Sequence, residues 1–209
     1  MDSKIFITGA VKGLVSEGQR IAALIESIRP DTVAISLNRE GLGALGEMDI
    51  ISKSRTGPVN IEEIIYMRGL SDYGEVVKPP PCFSVALDTA SKVGISVVAL
   101  DMDDEHYTAA YCKYVSTLDM IRQGNSQKRF SKHIFRAETP EGFVLEWDRL
   151  VNRFPGYRQL ERAREYWMAK GICRVAGKYK KPMAIIELER VAGLKTQLSK
   201  MNCEYDSVH

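Results

Sequence analysis

The stretch "IFITGAVKGLVSEGQRIAALIESIRPDTVAISL", residues 5–37, decides how this chain is built. "IFIT" (5–8) is short, apolar and β-branched, the composition of a buried strand. Ser16 and Gln19 stand at the spacing of a capping box, in which each side chain satisfies a free amide of a helix's first turn. Ile21, Leu24, Ile25 and Ile28 then recur at i, i+3, i+4 and i+7, which is one face of a helix. "RPD" (29–31) stops it, because proline disfavours helical geometry in the residue before it. "TVAISL" (32–37) is a second apolar strand. Strand, helix and strand make a βαβ unit, the building block of a parallel sheet.

The alternation continues outward from this unit. "CFSVALDTASKVG" (82–94) reads as a helix closed by a glycine C-cap, and "ISVVAL" (95–100) as a strand. A helix is expected from about 105 to 121. Residues 139–154 form another, with Thr139 as N-cap and Pro140 at the first helical position. A longer helix follows over 157–179, then a strand over 182–188 and a short helix over 193–201. Apolar strands alternating with helices predict an α/β fold. It is a mostly parallel sheet of at least four strands with helices on both faces, in a single domain over 1–209. Two stretches fit this pattern poorly. Residues 38–60, with Gly41, Gly43, Gly46, Gly57 and Pro58, read as a long loop or broken helix. Residues 122–136 are basic, carry His133 and contain no acid, and read as a long connection.

The bulk numbers agree with a soluble globule of one sizeable core: 209 residues, 44% apolar and 27% charged. A net charge of +2 calls for no obligate polyanion partner. No stretch approaches the ~20 apolar residues of a membrane span. "MDSKIFITGA" lacks the basic-then-apolar order of a secretory signal. Cys82, Cys112, Cys173 and Cys203 form no CxxC pair, so reduced thiols in a cytoplasmic protein are expected, with Cys82, Cys112 and Cys173, on helical patterns, packed as small hydrophobes. Trp147, Tyr166 and Trp167 lie on helices and read as core or interface residues. An open sheet has edges, and pairing of an edge strand or of the aromatic-bearing helices would give a homodimer.

Ligands of open parallel sheets sit beyond the carboxyl ends of the strands. Those ends carry Gly9 to Lys12, then Ser36 and Asn38, then Asp101 and Asp103, and last Glu187, Glu189 and Arg190. They are expected to converge.

The segments bearing these ends resemble the TraB/PrgY/GumN family, related to the Tiki proteases. "ITGAVKGLVSEGQRIAALIESIRPDTVAISLNRE" (7–40) is similar to the family's opening: a strand, a Gly-x-x-His turn, a helix ending in Arg-Pro-Asp and a strand ending in Glu-Leu-Asp. Arg29, Pro30, Asp31 and Leu37 match it. "ALDTASKVGISVVALDMD" (86–103) resembles the middle helix–strand pair ending in Asp-x-Asp. "RAREYWMAKGI" (162–172) resembles the helix that places Arg164, Met168 and Ala169. "AIIELERVAGLKTQL" (184–198) resembles the last strand and second Gly-x-x-His, placing Gly193 and Leu198. The resemblance implies metal-dependent hydrolysis through those His and Glu residues, and its TraB and PrgY branch implies a role in shutting down peptide signals. This chain departs from the pattern at the residues that matter for that chemistry. Lys12 stands in the first His position, Ser36 in the Glu position and Arg190 in the second His position. Protonated lysine and arginine have no lone pair to give a metal. His106, His133 and His209 lie at no strand end.

A degenerate, non-catalytic member of that family is therefore expected, with no cofactor. Lys12, Arg164 and Arg190, helped by Ser36, Asn38 and the amides near Ser16, would bind a peptide or a small anionic ligand. The competing structural reading pairs the same cations with Asp101, Asp103, Glu187 and Glu189 into a closed ion network. The alternative function is a hydrolase or peptidase rebuilt around those four acids holding Mg²⁺ or Mn²⁺. "GLGALG" (41–46) matches GxGxxG literally but opens no convincing helix, and reads as a glycine-rich turn carrying Leu42 and Leu45 inward. The basic stretch 122–136 interleaves Phe130 and Phe135, yet a nucleic-acid partner is not expected.

Overall fold

The computed structural model describes residues 4–47 and 61–209, except for the side chains of 127–129. The described residues form an α/β fold around a five-stranded, all-parallel sheet. The strands are β1 (Ile5–Ala10), β2 (Thr32–Ile35), β3 (Ser96–Ala99), β4 (Pro182–Glu187) and β5 (Tyr205–Ser207). Their order is β3-β2-β4-β1-β5. β4 thus enters between the two strands of the opening βαβ unit, and all six of its residues are buried. β5, too short and too polar to read from the sequence, pairs with β1.

Side chains of a strand alternate between faces, and two apolar cores follow from that alternation. Ile5, Ile7, Ala34, Ala184 and Ile186 point to one face, where α8 (Pro155–Lys178) and α9 (Leu188–Lys200) cover them. Val33, Ile35, Met183 and Ile185 point to the other, covered by α1 (Val15–Ile28) and α4 (Pro81–Lys92). The chain leaving β1 therefore goes to one face and the chain leaving β4 to the opposite face. Their carboxyl ends lie side by side at a topological switch point, where α/β sheets open a crevice.

Several local expectations are corrected. α1 begins at Val15 with Leu14 as its N-cap and has no side-chain cap, so Ser16 and Gln19 form no capping box. Glu17 does a related job instead: its carboxylate accepts the Val11 amide at 3.0 Å and holds Arg20, which bonds Thr8 and the Gly9 carbonyl. The helix ends on Arg29 in a left-handed conformation. "GLGALG" lies inside a helix, α2 (Arg39–Glu47), not a turn, with Leu42 and Leu45 packed on the core. The rest of the 38–60 stretch from 48 onward, with Gly57 and Pro58, lies outside the described residues. α3 (Ile61–Leu70) had no counterpart in the sequence reading.

The helix expected over 105–121 is two, α5 (Asp104–Tyr114) and α6 (Thr117–Phe130). α6 runs through much of the stretch read as a long connection. Its Phe130 is fully buried, and Phe135 packs edge-on to Phe143 at 4.7 Å, so both aromatics point inward. α7 (Pro140–Val151) starts as read, the Thr139 hydroxyl accepting the Gly142 amide at 3.1 Å. α9 begins directly at the end of β4, not at 193. Of the cysteines, Cys82 is buried, Cys173 and Cys203 are half-buried, and Cys112 is exposed, against the expectation of burial. No helix of the described residues is long and apolar enough to cross a membrane.

Candidate functional site

The turn leaving β1 delivers Lys12 into the crevice. Gly13 makes that turn possible: its φ of +109° lies where L side chains are strained. Residues 75–77 then clamp the turn, the Val15 amide donating to the Glu75 carbonyl and the Val77 amide to the Gly13 carbonyl. The first amide of α1 is thereby used by backbone and does not face an anion. The Tyr66 hydroxyl, from α3, donates to the Lys12 carbonyl at 3.0 Å.

Lys12 Nζ lies 2.7 Å from Glu187, the last residue of β4, and 3.4 Å from Glu189 in the first turn of α9. Arg164, from α8, grips Asp101 beyond β3 through Nε and a second guanidinium nitrogen, and reaches Glu161 at 2.8 Å and Glu187 at 3.5 Å. Arg190 pairs with Asp148 of α7, with Glu161 at 3.2 Å and with Glu165 at 3.4 Å. Ser36 supports the arrangement from beneath: its buried hydroxyl accepts the Glu187 amide at 2.9 Å and holds the end of β4 in place.

The structure thus brings Lys12, Ser36, Asp101, Arg164, Glu187, Glu189 and Arg190 together. It sends two predicted residues elsewhere. Asn38 caps α2 through the Gly41 amide and bonds Asp104. Asp103 caps α5, accepting the His106 amide at 2.8 Å and meeting the His106 ring at 2.6 Å. The four acids proposed for Mg²⁺ or Mn²⁺ therefore do not form one ligand set. Among the described residues no group of three or more His, Cys, Asp or Glu side chains is placed to hold a metal ion.

Three carboxylates escaped the sequence reading: Asp148, Glu161 and Glu165. Glu161 and Arg164 stand three apart on one helix, a spacing that signals an ion pair and was available. Nothing local to α7 points to Asp148. With them, six carboxylates surround three cations, and the electrostatics follow that imbalance. Burial opposes the charge on Glu187, but Lys12 and Arg164 overcome it and hold its carboxyl below the ordinary value. Burial likewise opposes the charges on Lys12 and Arg164, and the carboxylates overcome it, keeping both protonated. The surplus acids move the other way. Burial raises Glu161, and burial with Glu187 raises Glu189. Burial and neighbouring Glu161 raise Glu165 to about 7. Burial pulls Arg190 down to about 10, which leaves it charged at neutral pH among its three carboxylates.

Glycine at 193 belongs to the same construction. A Cβ there would collide with the Glu165 carboxylate, so only glycine lets α8 bring Glu165 to Arg190 across α9.

Above the network lies a cavity of about 400 Å³, bordered by Lys12, Glu187, Glu189, Trp147, Val151 and Tyr157, among others. A second chamber of about 250 Å³ shares Lys12, Glu62, Trp147 and Glu189 with it and adds Tyr66, Met67 and Pro80. Trp147, read as core or interface, is half-buried and lines both. Trp167 packs against the His106 ring, centroids 4.4 Å apart and planes tilted by 45°, and Tyr166 is exposed. No family model matches this chain, and no curated protein matches it.

Proposed function

We propose that this chain is a non-catalytic binding domain, a degenerate relative of the TraB/Tiki hydrolases, that holds a short peptide or small charged ligand over the carboxyl ends of its strands. One observation carries the reading. Lys12 and Glu187 meet at a switch point, and Arg164 ties Asp101 of a third strand end to Glu187, beneath a cavity of ligand size. The two cations standing in the resemblance's histidine positions, Lys12 and Arg190, are each tied to carboxylates. Neither offers a lone pair for a metal or a base for water activation. Asp103, turned away to cap α5, does not join Asp101, Glu187 and Glu189, which counts against a metal hydrolase rebuilt on those four acids. The four free cysteines fit a reducing cytoplasmic setting.

The test is a thermal-shift panel of short peptides, small carboxylates, small amines, and Mg²⁺, Mn²⁺ and Zn²⁺. A peptide or small molecule is expected to raise Tm, and Val151→Trp, which fills the cavity without removing an ion pair, is expected to abolish that shift. Stabilisation by a divalent metal alone, accompanied by peptide hydrolysis, overturns the reading. So does a panel without any shift.

A further inference from the structure

The sign of charge the cleft accepts is written in its imbalance. Lys12, Arg164 and Arg190 are the cations the sequence offered to an anion, and each is held by two or more carboxylates. An anion would have to displace a bound carboxylate within a protein dielectric, where like charges repel strongly. The carboxylates, by contrast, outnumber their partners. Glu189 shows this most directly. One of its oxygens faces Lys12 at 3.4 Å, and the other, Oε2, is buried with no hydrogen-bond partner. An orphaned buried acceptor is costly, a penalty relieved by any donor that reaches it.

Glu189 stands in the wall common to the two chambers. Beside it, Tyr66 and Trp147 form a corner, their ring centroids 6.0 Å apart and their planes tilted by 58°. Met67, Val77 and Pro80 continue that wall as an apolar surface. Aromatic faces attract cations through the negative face of the ring, and do so more strongly where water is excluded. A carboxylate with one oxygen lacking a donor, set beside two aromatic rings, selects a particular kind of ligand.

We infer that the cleft takes a primary ammonium carried on an apolar or aromatic body, the ammonium seated against Glu189 and the body against Tyr66 and Trp147. This rests on the binding reading above and names its ligand class. The ammonium has two sources, a free amine or the amino terminus of a peptide.

A charge series on one ring tests it. Benzylamine, benzyl alcohol and benzoate share a body and differ in charge. Trp147 emission reports their binding in a Trp167→Phe variant, since the chain has two tryptophans, and calorimetry on the unaltered chain gives the ranking independently of that substitution. Benzylamine is expected to saturate, with the alcohol and benzoate weaker by about tenfold or more. Glu189→Gln is expected to erase the advantage of the amine over the alcohol. Phe-Gly-Gly and its N-acetylated form separate the sources. Tighter binding of the free tripeptide than of benzylamine, lost on acetylation, assigns a peptide terminus, and a tripeptide no better than benzylamine assigns a free amine. Benzoate binding as well as or better than benzylamine overturns the inference and leaves the binding reading intact. An amine advantage that survives Glu189→Gln overturns the seat at Glu189. Failure of every probe, peptides included, overturns both.

Discussion

The Lys12 ammonium lies 2.7 Å from the Glu187 carboxylate, although 175 residues separate them in the chain. Adjacent parallel pairing of β1 with β4 makes that contact, setting Ala10 opposite Glu187 at the ends of the two strands. In this pair a cation on a turn meets an acid on a strand end, and the remaining charges of the crevice are arranged around them.

Removing the cation leaves Glu187 and Glu189 facing each other without their shared partner. Lys12→Met is expected to destabilise the fold by about 2–4 kcal/mol at neutral pH. Urea denaturation measures it. Glu187→Gln added to Lys12→Met is expected to recover part of the loss, and a double variant as unstable as the sum of the two singles rules the coupling out.

Glu165 sets a pH dependence whose sign is fixed. Its folded-state value of about 7 lies above the ordinary 4.5. Between those values the folded chain keeps a proton that the unfolded chain gives up. Stability therefore falls as pH rises through that window, and the contribution is fully present only below it. Glu165→Gln cannot titrate and removes this part of the slope. Relative to the parent chain, the variant is expected to gain about 2–3 kcal/mol between the bottom and the top of the window. Parallel stability–pH curves for the two chains would be the contrary result.

Gly193 admits the Glu165 carboxylate, so the two positions are coupled. Gly193→Ala pushes the Glu165 carboxylate off Arg190, and the lost contact is expected to outweigh alanine's ~1 kcal/mol helix preference over glycine. Glu165→Ala in the same chain relieves the collision, making the double variant more stable than the sum of the single losses predicts. Strict additivity in thermal denaturation would show that the two do not meet.

Ser36→Ala leaves the buried Glu187 amide without its acceptor. The expected loss is about 1–3 kcal/mol, with faster amide exchange at Glu187 as the local readout. An unchanged exchange rate there would mean that the hydroxyl does not hold the strand end.

Asp101 and Asp103 look equivalent in the sequence and are not. Asp103→Ala removes a helix cap and is expected to lower Tm slightly while leaving benzylamine binding unaltered. Asp101→Ala frees Arg164 to compete for Glu187 and is expected to weaken benzylamine binding. Equal effects of the two substitutions on that binding would contradict the separation of their roles.

The pattern of Ile21, Leu24, Ile25 and Ile28, and the apolar runs at 5–8, 32–37 and 182–188, determined by themselves that this chain builds helices over a parallel sheet. Hydrophobic period reports which side of an element is buried, and that is a local property. It also sets Lys12, Ser36, Asp101 and Glu187 at strand ends, because each apolar run stops there. Only the tertiary structure decided that β4 inserts between β1 and β2, that Asp148, Glu161 and Glu165 join the crevice, and that Asn38 and Asp103 leave it for helix caps. Strand order and helix docking are settled by packing between segments distant in the chain. An isolated carboxylate on a helix gives no sign of which cation it will meet. The balance of charge in the cleft is a sum over those meetings, so three lysines and arginines that promise an anion site in the sequence become, once folded, the minority in a ring of acids.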